Sequence, residues 1–366
     1  MIENLLAYGW WVGAICIVFG FVALVKGADF LVDGASAIAK RFGISDLVIG
    51  LTVVAFGTSM PEFVVNMVSV TEGSTDLALT NILGSNIINT FVILGLTALV
   101  YPIVSRKRSR DFDMPLSIIA GILVFAFVSV QLPIWEEGRG VGRMGGIVLL
   151  ALFCYFLYNT FRHAKDHPED ADAETVKEMS VRRAIVFILA GFIGLIVGGE
   201  LIVKSAVDIA TRMGVSEAII GLTIVALGTS LPELATSVIA AAKHNSDIAL
   251  GNVLGSNIFN VFFVLGTSAI IRPLPAYEGI ELDAWMAAAG SIIIWLAVKT
   301  NHARKIQRWA GALLLLVYAG YLTWRLVHVE NLESAVYYSE LHSVTCRDDA
   351  RSGECLLLFD GSYGYG

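Results

Sequence analysis

A chain of 366 residues that is 56% hydrophobic and only 16% charged carries more apolar surface than a soluble domain of this size can hide. The net charge of −7 resides in loops, an acidic linker and the tail, and no basic stripe of the kind a nucleic acid requires is present. Apolar stretches near the roughly 20 residues needed to cross a bilayer recur along the chain, so the expected fold class is an all-α polytopic membrane protein.

Ten spans are expected, over residues 8–36, 46–71, 76–100, 113–132, 143–162, 181–210, 217–242, 247–271, 282–299 and 305–327. No small-residue cleavage site follows the first, which reads as a span and not a leader. Spans one and six are long, and their second halves turn polar at Lys26, Asp29 and Asp33 and at Glu200, Lys204 and Asp208. A helix of about 30 residues is about 45 Å long and must tilt or bend to fit a bilayer. The odd-numbered loops carry about four times the lysine and arginine of the even-numbered ones. Positive charge marks the cytoplasmic side, which places both termini outside a cell membrane. The linker "HAKDHPEDADAETVKEMS" at 163–180 reads as a solvated cytoplasmic connection. It lacks the turn glycine and ligand spacing of a calcium loop. It separates a first five-helix repeat, 1–162, from a second, 181–329. The tail, 330–366, shows no clear periodicity and receives no function.

The repeat is explicit. "GLTVVAFGTSMPEF" (50–63) aligns with "GLTIVALGTSLPEL" (221–234), and "DLALTNILGSNIINTFVILG" (76–95) with "DIALGNVLGSNIFNVFFVLG" (247–266), at one displacement of 171 residues without a gap. Five spans separate each motif from its copy. Five is odd, so the copies enter the membrane in opposite directions as inverted repeats, an arrangement that can expose one central site to either side.

Glu62 and Glu233 lie near the middle of spans two and seven, where an acidic group costs about 2.5–3.5 kcal/mol to insert. No lysine or arginine lies in the central parts of spans two, three, seven and eight, so compensation must come from protonation or a bound cation. Pro61 and Pro232 precede these glutamates. Proline lacks an N–H and clashes with the carbonyl four residues earlier, freeing carbonyls that are tolerated in a membrane only where they line a polar cavity. Thr58, Ser59, Thr229 and Ser230 add hydroxyls. Spans three and eight add Ser85 and Asn89, four apart on one helical face, repeated as Ser256 and Asn260. Asn86 points about 100° away, toward the broken neighbouring helix. Gly84 and Gly255 permit close helix approach, and Asp76 and Asp247 are expected as helix caps. Every assembled donor is a hard oxygen, which disfavours zinc, copper and iron. Calcium, with its flexible shell of six to eight oxygens, fits best. Sodium accepts the same carbonyls and hydroxyls.

At "GTSMPE", "GSNIIN", "GTSLPE" and "GSNIFN" the chain resembles the calcium:cation antiporter superfamily, specifically the prokaryotic sodium/calcium exchangers, across residues 8–327. The resemblance implies a transporter, not an enzyme, that moves Ca2+ and Na+ without a cofactor. It implies calcium ligation by Glu62 and Glu233 with the carbonyls of Thr58 and Thr229. One sodium site would be lined by Ala55, Thr58, Ser59 and Ser85, and its mirror by Ala226, Thr229, Ser230 and Ser256. Asn89 and Asn260 would flank the centre, and spans one and six would form a sliding bundle. Potassium-dependent relatives, and some prokaryotic exchangers, carry aspartate where this chain has Asn260, so no potassium requirement is expected. A Ca2+/H+ antiporter, in which the glutamates titrate, is the alternative; a cation channel would not need inverted halves around a closed site. An intramembrane serine protease is disfavoured because all six histidines fall in loops, span ends or the tail, away from the serines.

Overall fold

The structure, a computed structural model, describes residues 10–130, 138–166, 179–215, 224, 226–277, 279–301 and 303–345. The chain divides into two compact units, Met1–Tyr318 and Ala319–Gly366. In the first, α1 (Trp10–Phe42) is followed by a bent pair, α2 (Asp46–Thr58) and α3 (Met60–Glu72), at 45° to each other. Next come α4 (Thr75–Val100), α5 (Ser109–Ser129), α6 (Arg143–Asp166) and α7 (Val181–Arg212). The short α8 (Ala226–Thr229) and α9 (Leu231–Ala242) lead into α10 (Ser246–Ile271) and α11 (Ile280–Thr300). The last helix, α12, spans Arg308–Thr345. In the second unit its residues are helical to Thr345, where no periodicity had promised structure.

Eight of these helices are long and apolar enough to cross a membrane, and the bent pair α2–α3 counts as a ninth. The expected span 217–242 lies partly outside the described residues, which hold 224 and 226–242 of it, with α8 and the short apolar helix α9. Linker residues 167–178 and tail residues 346–366 also lie outside them.

Two short antiparallel ribbons tie the loops. Ile103–Val104 (β1) pairs with Lys305–Ile306 (β4), and Gly140–Val141 (β2) pairs with Leu274–Pro275 (β3). They satisfy backbone groups that leave the helices.

The long helices α1 and α7 pack together along glycines. A Cβ on Gly20 would lie 2.9 Å from the Gly198 carbonyl oxygen, one on Gly27 would lie 2.7 Å from the Leu195 nitrogen, and one on Gly34 would lie 2.8 Å from the Ala184 carbonyl oxygen. The partner numbers fall as the α1 numbers rise, so the two helices run antiparallel, backbone against backbone. Their outer surfaces stay apolar: Phe19 and Ile193 are 66% and 64% exposed, as suits lipid-facing side chains. α4 and α10 are the most enclosed helices. α2 runs parallel to α10, where a Cβ on Gly255 would meet the Leu51 carbonyl oxygen and the Ala55 Cβ, both at 2.7 Å. The close approach expected at Gly255 is therefore present. A Cβ on Gly84 would meet no atom of the described residues within 4 Å beyond its own helix.

Candidate functional site

The centre of the first unit is built by two broken helices and two π-distorted ones. The prolines do not merely kink α2. Pro61 and Pro232 stand in the first turn of α3 and α9, where a missing N–H costs nothing. The residues just before, Ser59 (φ −85°, ψ 8°) and Ser230 (φ −87°, ψ 4°), leave the helical region in the same way. Each break thus begins a new helix whose first turn holds the glutamate, and the positive end of the helix dipole favours a carboxylate there. Opposite the breaks, α4 and α10 widen into π-helical stretches at Ile88–Ile93 and Phe259–Leu265. Such bulges re-aim side chains and recur at functional sites. They contain Asn89 and Asn260.

Glu62, Glu233, Thr58, Ser59, Asn89, Ser256 and Asn260 are fully enclosed, and Ala55, Ser85 and Ser230 nearly so. Thr229 is half-buried. Ala226 begins α8, and its side chain lies outside the described residues. The hydroxyls are distributed in a crossed pattern. Ser59 and Ser256 donate to Glu233 Oε1 at 2.8 and 3.3 Å, whereas Ser85 and Ser230 donate to Glu62 Oε1, each at 3.4 Å. Each carboxylate is met by one serine from its own half and one from the other. These hydrogen bonds put Ser59 with Ser256 and Ser85 with Ser230, across the expected ion-site grouping of Ser59 with Ser85 and of Ser230 with Ser256, because the broken helices carry their serines across the interface between halves.

The second oxygen of each carboxylate, Oε2, is buried and makes no hydrogen bond among the described residues. The same holds for both amide atoms of Asn89 and for Asn260 Oδ1. A buried unsatisfied polar atom costs about 1–3 kcal/mol. The carboxylate and amide oxygens among these atoms are hard donors of the kind that calcium and sodium accept. The Thr58 hydroxyl donates to Asn252 Oδ1 at 3.0 Å and to the Ala55 carbonyl at 3.3 Å, which leaves its oxygen lone pairs able to ligate a cation.

Two residues escaped the sequence reading. Asn252 Nδ2 donates to the Glu233 carbonyl at 3.2 Å and to Ser237 Oγ at 3.0 Å. Asn81 Nδ2 donates to the Glu62 carbonyl at 3.4 Å and to Asn66 Oδ1 at 2.7 Å. These, and not Asn86, brace the broken helices. Asn86 instead donates to the Asn257 carbonyl and accepts from Asn260 Nδ2, both at 3.2 Å, stitching α4 to α10. The signal available was that Asn81 and Asn252 share the repeat, one turn before each GSN motif. A second correction concerns the caps. Ser74 and Asn245 occupy the cap positions, with Asn245 Oδ1 accepting from the Ile248 N–H at 3.0 Å. Asp247 sits in the first turn and pairs with Arg106.

Asn252→Ala is expected to lower the melting temperature of the purified protein by several degrees and to weaken calcium binding. Asn252 holds three buried polar groups, and each left unpaired carries the penalty above. Thermal unfolding with and without calcium measures both.

A family model described as sodium/calcium exchanger protein matches residues 12–162 and 183–327. CaxA of Alkalimonas amylolytica is 38% identical over 317 residues, 85% of this chain and 97% of CaxA. The sodium/calcium exchanger MaX1 of Methanosarcina acetivorans is 31% identical over 343 residues, 85% of this chain and 97% of MaX1. Among solved structures, the sodium-calcium exchanger NCX_Mj, soaked with 2.5 mM Na+ and 0.1 mM Ca2+, matches with a TM-score of 0.73 at 31% identity, covering 85% of this chain and 98% of that one. With the repeat motifs at its centre and this match along its length, the chain belongs to the sodium/calcium exchanger family of multi-pass membrane proteins.

Proposed function

We propose that the protein is a secondary antiporter that exchanges Na+ for Ca2+ by alternating access, with Glu62 and Glu233 as the shared charge of its central site. The observation that carries this reading is the pair of fully buried carboxylates, each with one oxygen bound by serines from both halves and one oxygen unpaired among the described residues. Two negative charges balance one calcium ion. When calcium leaves, sodium ions restore the balance, each beside one carboxylate with its crossed serines: Glu62 with Ser85 and Ser230, Glu233 with Ser59 and Ser256. The carbonyls of Ala55, Thr58, Ala226 and Thr229 complete the oxygen shells, and Asn89 and Asn260 face the centre.

The ten-span inverted arrangement belongs to the same proposal. The antiparallel course of α1 and α7 supports it. So do the ribbons: the displacement that relates the halves carries β1 onto β3, yet β1 and β2 lie at opposite ends of α5 and β3 pairs with β2. Equivalent loops therefore face opposite sides. Loops three and nine share one ribbon and loops four and eight the other, in agreement with the charge bias that places both termini outside. The α1–α7 pair, one long helix from each of the five-helix repeats 1–162 and 181–329, slides against the helices that build the site.

The experiment is calcium uptake into proteoliposomes. An outward-directed sodium gradient should drive accumulation, and a pH gradient alone should not. Uptake driven by the pH gradient and indifferent to sodium would make the protein a proton-coupled exchanger, and flux coupled to neither would make it a channel. Ser230→Ala and Ser256→Ala should weaken sodium activation several-fold, by analogy with a lost hydrogen bond of about 1 kcal/mol, and calcium binding less. Paired titrations of sodium activation and of calcium binding without sodium check this. A fall confined to calcium affinity would reassign the hydroxyls.

A further inference from the structure

The charged side chains inside α1 and α7 take no part in the ion site. The displacement that relates the two halves carries Asp29 onto Glu200 and Asp33 onto Lys204. It also carries Glu72, the last residue of α3, onto Lys243, the residue that follows α9. At two pairs of equivalent positions the sign of the charge is reversed, acidic in the first half and basic in the second.

This reversal has a consequence in a pseudo-symmetric assembly. Under the inverted symmetry, the long-helix position of one half would meet the helix-end position of the other. Were both halves acidic, both meetings would be repulsive; with one half inverted, both become attractive. One of the two is formed in the structure. Lys243 Nζ lies 2.6 Å from Asp29 Oδ1 and 2.5 Å from Asp33 Oδ1, and donates to the Asp29 carbonyl at 3.1 Å. The neighbouring Asn245 Nδ2 donates to Ser36 Oγ at 3.2 Å. The turn after α9 is thereby fastened along two turns of α1. The other is not formed. Lys204 Nζ pairs along its own helix with Glu200 at 2.8 Å, and Glu72 is exposed and makes no ion pair among the described residues.

We propose that Lys243 with Asp29 and Asp33, and Glu72 with Lys204, are two positioning latches that close in alternation and hold the α1–α7 pair at either end of its travel. The proposal rests on the exchange reading above. The glycine seam brings α1 and α7 backbone against backbone, so a translation of one would carry the other with it. Because the latches are related by the inverted symmetry, a movement that draws Asp33 away from Lys243 carries Lys204 toward Glu72. The Lys243 pairs are about a third exposed, and pairs of that kind are weak enough to break during a transport cycle. Each supplies a partner for charges that are costly at membrane depth. A shear of packed helices between two discrete packings is a known form of conformational switch.

The test uses full-length protein with Cys16, Cys154, Cys346 and Cys355 replaced by alanine. Two cysteine pairs, Asp33→Cys with Lys243→Cys and Glu72→Cys with Lys204→Cys, are treated in vesicles with a short bifunctional, reducible thiol reagent. Both should cross-link, each should cut exchange at least tenfold until reduced, and in the four-cysteine protein either cross-link should exclude the other. A Glu72/Lys204 pair that never cross-links during turnover, or two cross-links coexisting on one chain, would overturn the proposal. If a cysteine pair fails to accumulate, charge inversion decides. Glu72→Lys and Lys204→Glu should each slow exchange several-fold and together restore it; failure of the double variant to recover would also overturn the latch. Failure of the exchange reading itself would show separately, as unaltered protein in which sodium drives no calcium flux.

Discussion

Glu62→Gln and Glu233→Gln are each expected to abolish measurable calcium exchange while the protein still inserts and folds. Glutamine preserves the shape of the side chain and an oxygen that can still accept from the crossed serines, from Ser59 and Ser256 at position 233 and from Ser85 and Ser230 at position 62. What it removes is charge at a position with no exposure to water. Deleting one member of a buried, fully desolvated charge interaction costs about 2–5 kcal/mol, a loss of about thirtyfold to several thousandfold in affinity. The pseudo-symmetry makes the two substitutions comparable. Flux in proteoliposomes reconstituted at equal protein content measures the effect, and thermal unfolding verifies the fold. Near-normal exchange by either variant would remove that glutamate from the ion site.

The second large effect belongs to the α1–α7 seam. Gly27→Ala places a methyl group 2.7 Å from the Leu195 nitrogen and 2.9 Å from the Gly191 carbonyl oxygen, both backbone atoms that cannot rotate away. Overpacking typically costs about 1–3 kcal/mol, so the melting temperature should fall by several degrees. Gly27→Leu demands a separation that the seam cannot provide, and folded protein should not accumulate. Gly198→Ala, whose Cβ would lie 2.7 Å from both the Gly20 oxygen and the Leu24 nitrogen, should match Gly27→Ala. Wild-type melting of Gly27→Leu would mean that the two helices do not pack through these glycines.

What the sequence made legible was what the repeat states twice. The glutamates, the prolines and the GSN motifs stand out because a carboxylate and a helix breaker inside an apolar run have no inexpensive structural use. The long, polar-tailed helices were legible as well, although α1 runs to Phe42, past the point where hydropathy falls, because buried Ala35 and Ala39, four apart, continue its packing face. The crossed serines were not legible. Which half supplies the second hydroxyl to each carboxylate depends on how two inverted units interlock, and a linear motif carries no trace of that. Asn81 and Asn252 hid for another reason: an asparagine one turn from a conspicuous motif reads as ordinary helix polarity until its amide is seen on the carbonyl of the glutamate. The glycine seam, spaced by sevens in α1, was visible in principle but drew no attention among the 35 glycines of the chain.

The central claim is that one pair of carboxylates serves sodium and calcium in turn. It is tested most directly by calcium binding to the purified protein, measured by equilibrium dialysis across a sodium titration at constant ionic strength in potassium-free buffer. The account predicts that sodium displaces calcium steeply, with a Hill coefficient above one, because a sodium ion beside each carboxylate must replace the divalent charge. It also predicts that substituting potassium for sodium displaces none, with Asn260 where potassium-dependent relatives carry aspartate. Calcium binding that is indifferent to sodium but lost on acidification would contradict it.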